Sequence, residues 1–211
     1  MSIDPDDNWP DFLPGPKSHL VAIGVITFSY GQLENIFQLL FAEVTGLNRE
    51  QVTALFQRLP NNIRENVMLE LLEKTKLPAN LKELVSYFAA GFKICAENRH
   101  GVMHSSSGGI IRSVNSGHDG FVFTKYSKAG NVMVCTPDLA ELRTIAEAMN
   151  KFMLFGAMLS GALNSAQICG FPVDSTWLPP SLDKPPPPTP LSWRSQSDFQ
   201  ASLLPPEPSQ G

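Results

Sequence analysis

The sequence predicts an all-α protein: a four- to five-helix bundle with a small antiparallel β-hairpin or meander inserted before the last helix, and a disordered Pro-rich C-terminal tail. Three observations predict it. Long segments repeat apolar residues at spacings of three and four, the period of an amphipathic helix. One short region switches to β-type runs separated by turn residues. From Thr176 onward Pro and Ser take over, with Pro179-Pro180, Pro185–Pro188 and Pro190. Such a composition is expected to stay disordered and partly polyproline II, because it buries too little apolar surface to offset ordering. The divisions are an irregular Pro- and Asp-rich arm over 1–16, a helical domain over 17–168 with its β insertion at about 109–135, and the tail over 169–211.

The first helix is predicted from Ser18 to about Val44, with Leu20, Ile23, Ile26, Tyr30, Leu33, Phe37, Leu40, Phe41 and Val44 on one side. Val21, Val25, Phe28, Ile36 and Leu39 make much of the other side apolar too, which places this helix centrally or at a subunit interface. Gly46 suits its stop. Asn48 caps a short second helix, with Gln51 in the reciprocal capping position and Val52, Leu55, Phe56 and Leu59 as its stripe. Pro60 breaks it, and a third helix runs from Asn61-Asn62 to about Lys76, stopped by Leu77-Pro78.

Asn80 reads as the cap of the fourth helix, with Glu83 three residues on. Its stripe is Leu81, Leu84, Val85, Phe88, Phe92, Cys95, Arg99 and Val102. Arg99 thus stands where an apolar residue belongs. An unpaired buried guanidinium is costly, so Arg99 is expected to meet an anion, either a carboxylate or a phosphate. The helix should fade at Ser105–Gly109, before β-type runs at Ile110–Val114, Phe121–Tyr126 and Val132–Cys135 with turns at Asn115–Gly120 and Lys128–Asn131. Thr136-Pro137-Asp138 starts the last helix, which runs to about Ala166. Trp9, Phe12 and Leu13 could pin the arm to the surface. Trp193, Phe199, Leu203 and Leu204 read as hydrophobes of an untethered tail rather than a docking motif.

The net charge of −4 argues against a broad nucleic-acid surface and against an anionic membrane. Between Arg49 and Arg112, however, nine Lys/Arg stand against six Asp/Glu, so the middle of the chain is mildly basic. The three Cys have no paired spacing, suggesting neither a disulfide framework nor a zinc site, and Cys95 reads as a core thiol. The acidic N-terminus is not expected to be a signal peptide, nor is any segment expected to give a clean membrane span, since Gln32, Glu34, Asn35 and Gln38 interrupt the first helix. These points predict a cytoplasmic setting.

Chemistry concentrates in Glu97-Asn98-Arg99-His100-Gly101-Val102-Met103-His104. In an ideal helix Glu97, His100 and His104 share a face and Arg99 points away, so Arg99 and His104 would converge if the last turn unwinds near Gly101. One reading is structural, with Arg99 paired to Glu34 or another carboxylate and the imidazoles capping a helix C-terminus. A second is metal: Glu97-x-x-His100 has di-iron spacing, but the second Glu-x-x-His that such a site needs is missing, so no metal and no cofactor is predicted. The third is RNA cleavage. An imidazole moves the proton of a ribose 2′-OH or of the leaving oxygen, and an arginine stabilises charge growing on the phosphate.

Arg99-x4-His104, at the end of an apolar helix in an all-helical domain, resembles the Arg-x4–6-His motif of the HEPN superfamily. The long first helix with Leu33-Glu34 and the last helix after an insertion are similar to those of bacterial stand-alone members. The likeness spans about Ser18 to Ala166 and leaves out the tail. It implies a bundle that dimerises so that two motifs meet in one cleft, here through the helix carrying the motif. It implies a metal-independent endoribonuclease, of toxin or defence type, with RNA as substrate and an antitoxin or other protein as partner. Many members are instead inactive dimeric interaction or RNA-binding modules, in which the Arg99 motif would be structural. Carried over by position, Arg99 contacts the scissile phosphate and His104 is the general acid or base, with Asn98 and His100 assisting and Glu34 as partner of Arg99. The family often places Asn directly after the Arg; here that place holds His100, and Asn98 precedes the Arg instead.

Overall fold

The computed structural model describes residues 15–112, 119–169 and 182–203. The arm before residue 15, residues 113–118 within the insertion, and the parts of the tail at 170–181 and 204–211 lie outside the described residues, as do the expectations placed there. Helices α1 (Lys17–Thr45), α2 (Arg49–Phe56), α3 (Asn61–Lys74) and α4 (Ala79–His104) come first. A sheet of β1 (Ser106–Arg112), β2 (Asp119–Tyr126) and β3 (Val132–Cys135) follows, then α5 (Leu139–Cys169), a short β4 (Arg194–Ser195) and α6 (Gln196–Leu203).

Local chemistry accounts for most boundaries. Gly46 closes α1 in the left-handed region (φ 69°). Asn48 and Gln51 form the expected capping box on α2, each side chain accepting the other's backbone N–H at 3.0 Å. Two caps differ from expectation. Pro78 precedes α4 and Asn80 caps nothing, since the helix already starts at Ala79. On α5 the capping box is Asp138 with Glu141, not Thr136, because only Asp138 sits where its oxygen reaches the Glu141 N–H (2.8 Å). The sheet also begins earlier than the sequence suggests. β1 starts at Ser106 directly after α4, and its register against β2 shifts between Ser107 and Ile110, where Gly108-Gly109 accommodate a bulge.

The core is a file of aromatic rings. Phe37 of α1 stacks on Phe92 of α4 with centroids 4.2 Å apart, and Phe41, Phe56, Phe88, Phe152 and Phe155 surround them. Burying each of these side chains contributes on the order of 1.5–3 kcal/mol. The contacts Tyr30–Phe92, Phe37–Phe88 and Thr27–Met103 run α1 and α4 antiparallel. Cys95 is fully buried in this core and burial pushes its thiol up to about 12, as suits an inert core thiol. α1 is long and apolar enough to cross a membrane by length and composition alone, contrary to expectation. Its polar interruptions are few, and its Leu33, Phe37, Leu40 and Phe41 face lies inside the bundle.

The tail departs most from expectation. Residues 182–203 are ordered against the domain, not free of it. The chain runs along α4: Lys184 pairs with Glu83, the Tyr87 hydroxyl donates to the Pro185 carbonyl, and Asn98 binds both Thr189 and Leu191. Arg194–Ser195 then adds a fourth strand to β3. The geometry is economical. From Glu83 to Gly101 a helix spans about 27 Å at ~1.5 Å per residue, and nine residues of extended chain cover about 28 Å at ~3.1 Å each. Proline also lowers the entropy lost on docking and brings no N–H that must be satisfied, so few anchors suffice: Leu182, Pro188 and Leu191 are buried.

Gly91 of α4 meets the ring of Phe152, where a Cβ would stand 1.9 Å from a ring carbon; Gly161 of α5 has open space at that position. Gly91→Ala is therefore expected to destabilise by about 1–3 kcal/mol, lowering Tm by roughly 2–4 °C per kcal/mol, despite alanine's better helix propensity. Gly161→Ala should raise Tm slightly. Calorimetry of the two variants checks the pair, and an unchanged Gly91→Ala protein would contradict the packing.

Candidate functional site

The end of α4 holds the candidate residues, and the helix continues to His104 without unwinding at Gly101. Arg99 and His104 meet all the same: the guanidinium Nη1 lies 3.0 Å from His104 Nε2. The long arginine side chain spans the offset that ideal helix geometry leaves. Because the guanidinium only donates, His104 Nε2 is the acceptor in this contact. The Arg99 guanidinium also sits over the Tyr30 ring of α1 at 5.7 Å, and its Nε is buried without a hydrogen-bond partner. Among the described residues no carboxylate is within ion-pair distance of Arg99.

Glu34 is not the partner of Arg99. It pairs with Arg64 of α3 at 2.6 Å, and Arg64 also donates to the carbonyls of Leu59 and Phe56. Arg64 thus closes the carbonyl end of α2 and ties α2, α3 and α1 together, while its guanidinium lies over Phe56. Glu34 lies four positions after Tyr30, about one turn, so both arginines approach the same stretch of α1, but only Arg64 reaches the carboxylate. Desolvation, then the charge of Glu34, raises the Tyr30 hydroxyl well above its ordinary range.

Asn98 also has another role than the sequence suggests. It is almost fully buried, donating through Nδ2 to the Thr189 carbonyl (2.9 Å) and accepting the Leu191 N–H (2.8 Å). It clamps residues 182–193, the strap that runs along α4, by their backbone. Gly101 completes the fit, since a Cβ there would stand 2.9 Å from the Trp193 ring. His100 is exposed, with its ring 4.8 Å from that of His104. Partial burial, then the neighbouring charges of His104, Arg99 and Lys125, hold His100 below the ordinary imidazole value.

A cleft of about 310 Å³ opens beside this pair, between α3, α4, β2 and the strap. Glu65, Phe92, Glu97, Lys125 and Trp193 line it, and His100 stands on its wall. Sequence reasoning missed Glu65, Lys125 and Trp193. The one signal available was the apolar pair Leu191 and Trp193 just after the proline run. With this geometry in view, the chain matches no protein-family model, no curated protein and no solved structure.

Two measurements test the site. Asn98→Ala should release the strap, making 182–193 sensitive to limited proteolysis and costing about 1–3 kcal/mol, as two buried hydrogen bonds are lost; an equally resistant strap would refute the clamp. In an NMR titration, His100 should have its midpoint below the usual ~6.5, and His104→Ala should bring it upward. The sign for stability follows: a lowered value in the folded state means that the contribution of His100 is present above ~6.5 and lost as pH falls through the folded-state midpoint.

Proposed function

We propose that this chain is a metal-independent endoribonuclease of HEPN type, acting as a homodimer. The observation carrying this reading is the Arg99–His104 pair at 3.0 Å, with a guanidinium that has no carboxylate among the described residues to neutralise it. A structural arginine would have used Glu34, and Arg64 holds it instead. Arg99 is left with spare donors and a full charge at the end of the helix, as a phosphate requires.

A scissile phosphate docks on Arg99, whose Nη1 turns from His104 to a non-bridging oxygen. His104 Nε2 is then free and takes the proton of the ribose 2′-OH. O2′ attacks phosphorus, the bond to O5′ breaks, and the leaving O5′ takes a proton from the imidazolium of the second copy. The products are a 2′,3′-cyclic phosphate and a 5′-hydroxyl. Arg99 stabilises the charge on the phosphoryl oxygens throughout.

An exposed stripe on α1 supports the dimer. Val21, Val25, Phe28 and Leu39 are all solvent-exposed, with Gln32 and Asn35 between them, so the stripe advances by alternate steps of four and three. That is the spacing of a helix seam that pairs with another helix. The stripe adjoins the motif: Met103 is exposed on α4 and its sulfur accepts the Thr27 hydroxyl of α1 at 3.1 Å. Pairing along α1 rather than along the motif helix would therefore still bring two Arg99–His104 pairs near each other.

The test is incubation of the protein with total RNA in excess chelator. The wild type should give discrete cuts with cyclic-phosphate ends. Arg99→Ala and His104→Ala should each lower the rate at least ~10²-fold without unfolding the chain. Phe28→Asp should turn a dimer into a monomer by light scattering and lose cleavage with it. Absence of cleavage by a folded wild-type dimer would assign the protein to the non-catalytic interaction modules instead.

A further inference from the structure

We infer that the cleft beside His100 is a guanine-binding pocket, which takes the base of a guanine nucleotide or of an unpaired guanosine in RNA. The inference deepens the ribonuclease reading and rests on it only for the link to cleavage. The pocket itself stands on its own residues.

Its lining is largely apolar, from Ala96, Leu191, Trp193 and the nearly buried Phe92, with the Lys125 ammonium over the Trp193 ring. Within it lies Glu65 of α3, 7 % exposed. Its one ion-pair partner among the described residues, Lys93, stands 3.7 Å away, beyond the reach of a normal hydrogen bond. A desolvated carboxylate held by one long ion pair is costly, and desolvation, with the like charge of Glu97, raises its proton affinity even against the charge and hydrogen bonding of Lys93. What it lacks is a pair of N–H donors side by side.

Guanine offers that pair, N1–H and the 2-amino group, on one edge. Adenine and cytosine offer a single amino group beside an acceptor nitrogen. Uracil offers one N–H between two carbonyls that a carboxylate repels. Lys93 and Lys125 balance Glu65 and Glu97 in the lining, so a neutral base with paired donors fits as well as a cation such as a guanidinium compound. The same lysines favour an anionic phosphate at its mouth. Lys125 is placed for this by its ammonium 3.8 Å from the Trp193 ring centre. His100 lies on the pocket wall with its ring 4.8 Å from that of His104, so the pocket adjoins the Arg99–His104 pair.

The experiment is calorimetric titration of the full chain with GMP, AMP, CMP and UMP, beside cleavage mapping on an RNA oligonucleotide with guanosines in single-stranded positions. GMP should bind at least tenfold more tightly than the other three. Glu65→Gln, which offers an amide in place of the anionic acceptor, should weaken GMP at least tenfold while keeping Tm. The Arg99→Ala/His104→Ala variant should still bind GMP, because the base pocket is separate from the cleaving pair. Cuts should fall next to guanosine and lose that preference in Glu65→Gln. Equal binding of all four nucleotides, no GMP binding, or unchanged binding by Glu65→Gln would overturn the pocket, even if RNA is cut. GMP binding without any cleavage would leave the pocket standing and remove the nuclease. GMP binding with cuts that ignore guanosine would mean a site for free nucleotide, overturning the role in RNA selection.

Discussion

The stack of Phe37 on Phe92 sets the register on which the rest of the molecule depends. α1 and α4 cross there in antiparallel sense, and rigid helices carry that register outward. Two turns before Phe37 lies Tyr30; two turns after Phe92 lies Arg99. The one therefore faces the other, and the guanidinium comes to rest over the ring. One turn further along α4, Met103 meets Thr27 for the same reason. A slip of one turn would move Arg99 about 5.4 Å along α1 and separate it from this stretch.

The same stretch of α1 explains the division of labour between two arginines. Glu34 points toward α3, where Arg64 is held by the end of α2 and has one open direction left. That satisfies an anion and a cation in one structural pair and leaves Arg99 without a carboxylate among the described residues. A cation kept near the core yet unneutralised is unfavourable for folding alone, and such local conflicts are concentrated at functional sites. The conflict here is relieved partly by the Tyr30 ring and by the His104 lone pair, both weaker than a carboxylate.

The proline-rich strap turns one side of α4 from surface into interior. Asn98 serves as a backbone clamp, since its amide offers one donor and one acceptor in the arrangement that an extended chain presents. Without the strap, Asn98 and Gly101 would lie at the surface of a helix. With it, both are covered, and Asn98 becomes the back of a cleft whose other walls are the bundle and the sheet. The strap thus completes the cleft, bringing Trp193 to Lys125 and closing the sheet edge at β4.

The residues by themselves determined the first five helices, the site of the insertion and the odd place of Arg99 in the α4 stripe, but not α6, which lies in the stretch expected to be disordered. These follow from local rules: an apolar period of three and four, the Asn48–Gln51 capping box, Pro60 and Leu77-Pro78 as stops. Periodicity also marked both faces of α1 as apolar. Only the tertiary structure decided which arginine takes Glu34, where Asn98 points, and whether the tail is held. Those outcomes are pairings between residues 30 and 91 to 93 positions apart, and no local pattern records them. Residues 182–203 depart from the disorder expected of them for a further reason. Composition measures how much apolar surface a segment can bury, but an extended proline chain loses so little entropy that a clamp and three buried side chains hold it.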